Sequence, residues 1–488
     1  MPVSRPPAPP DAMTLGLTRR EALMAAGASA LALALPGFAP SRGVAANTRV
    51  DVVGAGLSGL ACALVLVQAG VDVRIWEARD RLGGRTLTDT SLVPGKWVEC
   101  GGEFIDADHS AIRRLCNESG VTLQDLAAVD ESGVARNLVG GRVREGSWAD
   151  ESSDRLAQRA ARDLQRLGEE RLNAMSAAEW LRGAIPGGTG SPFARYQRAL
   201  TTGEYGADPS ALTALWVVTD LADGAGANEM ADGAERYRVN GGTRNLVAAL
   251  ERRVGAERIV RGTRLTGLVR EGSRPALLLT GPDGPRVERP DRAVITLSPG
   301  VLRTVNLSRS GFSTPTREVI RTYGMGTNAK VIIPFSSAAW GARGWDAEGV
   351  SDTALGQTWN SALGEGAGST AFTSLVGGVA GRTIAGPDHG PAPGSVVQAR
   401  LALIDRVAPG TRSAARDGAV VHAWAKDPYA RGSYSAARPG QADYATIAAR
   451  PQGPFHFAGE HTSDEWSGYM EGAVQSGQRV AREVLARL

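Results

Sequence analysis

Lysine is almost missing from this 488-residue chain: its 54 basic residues include three lysines, Lys96, Lys330 and Lys426, and are otherwise arginine. A lysine kept against that usage is a place to look for chemistry, because its compact ammonium shifts pKa readily on burial. Cysteine is scarce as well. Cys62, Cys100 and Cys116 offer neither metal-ligand spacing nor an even-numbered disulfide framework, and Cys62 lies on an apolar helix where it reads as packing. The formal charge is only +3, so nothing points to nucleic acid as a partner. Long apolar runs are absent too. The best one, Ala22 to about Phe38, is broken by Pro36 and holds about seventeen residues, short of a comfortable bilayer span. Tandem repeats and long low-complexity tracts are missing. What remains, with 42% hydrophobic residues, can bury large cores in about two or three domains.

The apolar run follows Thr18-Arg19-Arg20-Glu21-Ala22-Leu23, and Val44-Ala45-Ala46 offers small residues for cleavage before Asn47. The pattern resembles a twin-arginine signal over residues 1–46. It implies a precursor handled by the twin-arginine (Tat) export machinery and a periplasmic or secreted mature protein, folded with its cofactor before export.

The chain is organised around residues 51–86. A short apolar strand at Val52-Val53 runs into Gly54-Ala55-Gly56-Leu57-Ser58-Gly59, an apolar helix follows to about Gly70, and a second strand, Val71 to Trp76, ends at Glu77. Strand, glycine turn, helix, strand and acid at this spacing predict a dinucleotide-binding βαβ unit. Gly54 makes the tight turn, Gly56 lets backbone approach a pyrophosphate, and Gly59 lets helix pack on strand. The helix start supplies free N–H groups for the phosphates, and Glu77 accepts from a ribose hydroxyl.

The residues after the acid choose the cofactor. Arg79-Asp80-Arg81-Leu82-Gly83-Gly84-Arg85-Thr86 resembles the second phosphate-contacting segment of FAD enzymes in the amine oxidase superfamily, with Arg79, Gly84 and Arg85 at the cofactor. Paired glycines at Gly101-Gly102, within the alternating run Trp97 to Ile105, mark backbone passing close to a ligand. Near the end of the chain a strand stops at Ala458, Gly459-Glu460 can approach pyrophosphate and ribityl chain, and Gly468 to Gly472 opens a helix that can face the flavin pyrimidine edge. The stretch Trp466-Ser467-Gly468-Tyr469-Met470-Glu471-Gly472-Ala473-Val474 resembles the flavin-containing monoamine oxidase family almost letter for letter.

That resemblance implies an α/β fold: a Rossmann-like FAD-binding domain with a parallel sheet, and a discontinuous α+β substrate domain of amine-oxidase type. The expected division assigns residues 47–106, 236–302 and 419–488 to the FAD domain and 107–235 and 303–418 to the substrate domain. Leu265 is expected near the adenine and Met470 near the flavin. Local signals add an amphipathic helix over residues 152–172, a capping box formed by Ser176 and Glu179, and a Gly/Ala/Asp-rich loop from Ala222 to Gly233 near a domain crossing or an entrance.

Carried over residue by residue, Tyr434 and Tyr469 resemble the family's aromatic pair, two phenols that steer an amine toward the flavin and polarise its nitrogen lone pair. Trp424 resembles the tryptophan beside the flavin ring. Lys330, in Met325-Gly326-Thr327-Asn328-Ala329-Lys330, resembles the lysine bridged through water to flavin N5. Ser433 departs from the mammalian pattern, where a cysteine bonds the flavin, so FAD is expected to be held non-covalently. The resemblance implies hydride-equivalent transfer from the carbon next to a neutral amine, giving an imine that water hydrolyses, with O2 reduced to peroxide. The histidines need no catalytic role. Glu103, if it faces the cavity, favours a substrate with a second positive group.

An L-amino-acid oxidase is the rival within the same fold. It needs a cation to clamp the substrate carboxylate, and Glu103-Phe104-Ile105 stand where some of those oxidases bring an arginine. Residues 101–106 still resemble a segment of bacterial amino-acid oxidases, and Arg113, Arg244 or Arg431 could supply the charge. A non-catalytic flavoprotein is disfavoured by Lys330 and both tyrosines. The substrate is thus read as a small amine or amino acid with O2 as acceptor, and the oligomeric state stays open, a homodimer included.

Overall fold

The structure is a computed structural model that describes residues 48–488 apart from 130–132, 147, 149–150 and 224–233. The twin-arginine segment and nearly all of the Ala222–Gly233 loop therefore lie outside the described residues. Among the described residues, no helix is long and apolar enough to cross a membrane.

The strands Arg49–Val53, Asp72–Trp76, Ile259–Val260, Arg292–Ile295 and Phe455–Phe457 form one sheet. Its order is 259–260, 72–76, 49–53, 292–295, 455–457, and every pairing is parallel. Their near-continuous apolar sequences follow from that geometry, because both faces of a parallel sheet are covered. Helix Leu57–Gln68 covers one face together with the carboxy-terminal helix Met470–Leu485. The two helices touch closely: a Cβ on Gly477 would lie 2.2 Å from the Ser58 carbonyl. On the other face an antiparallel meander, Arg264–Glu271, Arg274–Gly281 and Gly284–Glu288, shares a core with Val53, Trp76, Ile295 and Phe455.

A second sheet of six antiparallel neighbours runs in the order 349–350, 357–360, 370–376, 329–335, 420–423, 389–391. Its central strand, Ala329–Phe335, is buried at every position. A cluster of helices, Glu151–Asn173, Ala177–Ala184, Pro192–Tyr205 and Ala214–Ala222, has its own apolar core around Trp180, Leu212 and Val218. The capping box is present, with Ser176 and Glu179 satisfying each other's backbone N–H groups. The amphipathic helix runs where expected but breaks at Gly168, φ 76°. Asn47–Leu488 forms one compact unit.

Two segments differ from the expected division. Val420–Ala423, assigned with the carboxy-terminal FAD segment, pairs with Ala329–Ile332 in the second sheet. Asn306–Arg309 pairs beside Gly267–Val269, and Val305, Phe312 and Ile320 enter the core of the first sheet, although residues 303–322 were assigned to the substrate domain. A buried strand looks alike in either sheet, and only its distant partner decides which one it joins.

Candidate active site

The carboxyl ends of the parallel strands bring the glycine turns together. Gly54 leaves the first strand at φ 103°. A Cβ there would meet Thr296 Oγ1 at 2.5 Å, and one on Gly59 would lie 2.0 Å from the Gly54 carbonyl oxygen. Gly56 begins the helix with no side-chain cap, so the N–H groups of the first turn face outward for a ligand. Gly83 bridges to Gly56, with Gly84 beside it at φ 61°. Glu77 is buried. Its carboxylate accepts from the Ala55 and Arg79 backbone N–H groups at 2.8 and 2.9 Å, which leaves further lone pairs for a hydroxyl donor.

Arg79 and Arg85 of the second segment are tied to acids from the carboxy-terminal part of the chain. Arg79 donates to both oxygens of buried Asp427, at 2.5 and 2.6 Å, and lies over the Tyr429 ring. Asp427 would otherwise be a lone buried charge, and Arg79 meets it through Nη2 alone. Arg85 donates to the Ser433 carbonyl at 2.8 Å and to Glu460 at 2.7 Å. Glu460 also accepts from Ser435 Oγ and from the Gly468 N–H, both at 2.7 Å. Arg85 and Glu460 thus tie three loops into one floor. Gly459, φ 132°, donates its N–H to Ser476 Oγ at 2.9 Å, Gly102 passes the Met470 thioether with only 3.1 Å left for a Cβ, and Leu265 lies within the meander core.

Lys330 stands at the junction of this floor with the second sheet. Its ammonium donates to the Glu99 and Gly101 carbonyls, both at 3.0 Å, and to Glu103 at 2.8 Å, and it lies 5.0 Å from the centre of the Trp359 ring. Trp424 is 5% exposed. It donates Nε1–H to the Cys100 carbonyl at 3.0 Å and fills the space beside Gly101, where a Cβ would touch its ring at 3.0 Å. Glu103 does not face a cavity as a free anion. It is buried between Lys330 and Arg238, whose Nη1 is 3.3 Å away. Arg238 is itself buried and also bonds Gln124, Ser361, Leu363 and Glu365. Two cations neutralise Glu103, so, contrary to expectation, it offers no free charge to select a second positive group on the substrate.

Tyr434 donates its hydroxyl to the Gly203 carbonyl at 3.1 Å. Tyr469 is 47% exposed and is braced edge-on by His109 and Trp466, with centroids 5.2 and 5.9 Å away. Gly468 lies against the Tyr434 ring: a Cβ there would sit 3.8 Å from Tyr434 Cβ. Burial, and then the charges of Asp220, Glu204, Asp106 and Glu235, push the Tyr469 phenol well above its ordinary value. Burial, then Glu204 and Glu235, does the same to Tyr434. Glu204 is exposed at its surface but raised above the usual carboxylate range chiefly by burial, with Gln357 Nε2 donating to it at 2.5 Å.

Two of the three candidate carboxylate clamps are engaged by groups of the protein, and the third is exposed. Arg113 donates to the Ala107 carbonyl and lies over Tyr237, Arg244 bonds Thr90 and Gly241, and exposed Arg431 is grouped with Arg303 and Arg438. Ser433 is buried, donating to Asn328 Oδ1 at 2.6 Å.

Residues 57–485 match the family model described as flavin containing amine oxidoreductase. The chain belongs to that family. It is 30% identical over 467 residues to the putative flavin-containing monoamine oxidase AofH of Mycobacterium tuberculosis, covering 90% of this chain and 97% of the relative. A probable flavin-containing monoamine oxidase A of Dictyostelium discoideum is 23% identical, with 90% and 98% covered. Among solved structures, cyclohexylamine oxidase from Brevibacterium oxydans superposes with TM-score 0.79 at 22% identity, over 91% of this chain and 99% of that one. Putrescine oxidase bound to putrescine superposes with TM-score 0.77 at 20% identity, covering 90% and 99%. These two show the shared fold.

The protein is therefore an amine oxidoreductase of the FAD-dependent class. This amine oxidase has what the dinucleotide requires: glycines whose Cβ atoms would have no room, two helix starts without side-chain caps at Gly56 and Tyr469, and a buried acid at the end of the second strand. Sequence reasoning missed Arg238, Asp427 and Glu204. Of these only Asp427 had a local signal, the Trp424-Ala425-Lys426-Asp427-Pro428-Tyr429 turn in which its carboxylate accepts the Tyr429 N–H at 2.8 Å.

Proposed function

We propose that this amine oxidase acts on amines that are cationic in solution rather than on α-amino acids, passes the electrons to O2, and holds FAD non-covalently. The observation that carries the choice of substrate is the sign of the charge around the tyrosines. The charges acting on Tyr434 and Tyr469 that follow burial are all acidic: Glu204, Asp220, Asp106 and Glu235. A carboxylate entering this cavity would meet like charge without a clamp, whereas an ammonium is drawn in.

Gly54, Gly56, Gly59 and Gly84 would admit the pyrophosphate, Glu77 the ribose, and Gly102, Gly459 and the helix starting at Met470 the flavin end. Bound there, FAD supplies the acceptor for the hydride equivalent from the carbon next to the amine nitrogen. Tyr434 and Tyr469 hold the amine between their faces and keep bulk water away. Lys330, whose three N–H groups go to Glu99, Gly101 and Glu103, is a fixed positive charge at the edge of the cofactor floor. Ser433 and the burial of all three cysteines support a non-covalent cofactor. The Arg19-Arg20 pair and the apolar run after it support Tat export and a periplasmic or secreted location.

The test is peroxide release from the purified protein with matched pairs: phenethylamine beside phenylalanine, cadaverine beside lysine, agmatine beside arginine. Amines are expected to turn over and their carboxylated partners to fail; turnover confined to the amino acids would overturn the reading. Glu204→Gln is expected to raise the KM for cadaverine roughly tenfold, through loss of one desolvated charge, and to change that for phenethylamine far less. Equal effects on both would assign Glu204 to structure. Acid precipitation is expected to release FAD into the supernatant, and flavin left in the pellet would contradict the argument from Ser433.

A further inference from the structure

Lys330, His422 and His389 lie directly opposite one another on three adjacent antiparallel strands, Lys330 paired with His422 and His422 with His389. Cross-strand partners project from the same face of a sheet, so the three basic side chains form one row leading away from the cofactor floor. At its far end His389 Nε2 lies 2.6 Å from Asp427 Oδ2, and the two Nδ1 atoms of His389 and His422 are 2.9 Å apart. Trp424 stands edge-on to His389, centroids 4.8 Å apart. Nothing in the reaction as described above uses the two histidines.

The hydrogen bonds fix the protons. Burial would raise Asp427, but the His389 N–H, the Arg79 charge and the Tyr429 N–H outweigh it and hold the carboxyl ionised, so His389 Nε2 carries the proton it donates. In the neutral ring His389 Nδ1 is then bare, and the proton between the two Nδ1 atoms belongs to His422. His422 Nε2 is left as a lone pair, buried and without a hydrogen-bond partner, in a ring only 6% exposed. The ring stays neutral: burial first, then His389 and the Lys330 and Arg81 charges, against Asp89, push it down to about 3.

We propose that His422 and His389 form a proton relay serving the Lys330 side of the active site. A proton accepted at His422 Nε2 breaks the His422 Nδ1–H bond and forms the His389 Nδ1–H bond. The charge then rests on His389, one ring away, against Asp427, while His422 has changed tautomer and stayed neutral. The pair gains one proton and no other bond changes. The donor is the substrate's own ammonium, through intervening water, because an amine must lose that proton before its lone pair can assist cleavage of the neighbouring C–H bond. The titratable and charged groups facing the pair are Lys330 from the central strand, Arg81 and Asp89 from the segment after Glu77, and Asp427 with its partner Arg79. The supply of substrate ammonium rests on the function proposed above; the tautomer change does not.

Histidine-selective 15N NMR of the FAD-loaded protein, assigned with His389→Asn and His422→Asn, tests the relay without substrate. His422 is expected to be the Nδ1–H tautomer at high pH and to become Nε2–H with the same midpoint at which His389 turns into an imidazolium. One tautomer throughout, or a His422 that becomes charged at its own midpoint, would overturn the relay. With a working amine, the acid limb of kcat/KM is expected to move about one pH unit lower in Asp427→Asn, tenfold in rate at a fixed pH on the limb, and to vanish in His389→Asn. A limb unmoved in both variants would remove the relay from the reaction. If no amine is oxidised, the NMR result still decides the tautomer change, and only the substrate assignment falls.

Discussion

Lys330→Met is expected to lower amine turnover by about 10²-fold or more while FAD stays bound, the scale usual for loss of a preorganised charge in the active site. The ammonium contacts Glu99, Gly101 and Glu103 and not the turns at residues 54–59 and Gly84 that would grip the pyrophosphate, so cofactor content is a separate readout from turnover. Removal of the ammonium also leaves Glu103 buried with Arg238 as its one remaining cation. Breaking a buried ion pair from one side costs about 3–5 kcal/mol, so the single variant is expected to melt earlier as well. Lys330→Met combined with Glu103→Gln separates the two effects. The double variant is expected to recover most of the lost stability and none of the lost turnover. Turnover that returned with stability would mean Lys330 only holds the fold.

Gly59→Val is expected to abolish FAD binding altogether. A Cβ at this position would lie 2.0 Å from the Gly54 carbonyl oxygen, and neither the turn nor the helix can retreat, because Gly477 of the carboxy-terminal helix already rests on the Ser58 carbonyl. The helix start must move off the strand, and its N–H groups with it. The variant should purify without the yellow colour of flavin, or not fold. Gly183→Ala is the control: nothing lies within 4 Å of its added carbon, and replacing glycine within helix Ala177–Ala184 should gain up to about 1 kcal/mol and leave FAD content unchanged. A flavin-replete Gly59→Val protein would contradict the proposed cofactor site.

What could be read from the chain was local. The strand, glycine turn and acid of residues 51–77 announce themselves because backbone geometry demands glycine at Gly54 and Gly59, and Ser176 with Glu179 form their capping box within one helical turn. Lys330 was legible for a different reason, as a lysine in a chain that otherwise uses arginine. What could not be read was pairing at a distance. Glu103 looks like a free acid until Arg238, 135 residues away, is placed against it, and nothing local to Arg79 announces that both oxygens of Asp427, 348 residues on, accept from its Nη2. Val420–Ala423 has a strand's sequence, but its place beside Ala329–Ile332, and with it the row from Lys330 to His389, exists only in the folded sheet.

The most direct test of the central claim is anaerobic mixing of the purified flavoprotein with cadaverine and, separately, with lysine, followed by the flavin absorbance. Loss of the oxidised flavin band with cadaverine, and its persistence with lysine at the same concentration, is the predicted result. Bleaching by lysine with none by cadaverine would mean that a carboxylate clamp operates beside tyrosines on which the acting charges are acidic, and would contradict the account.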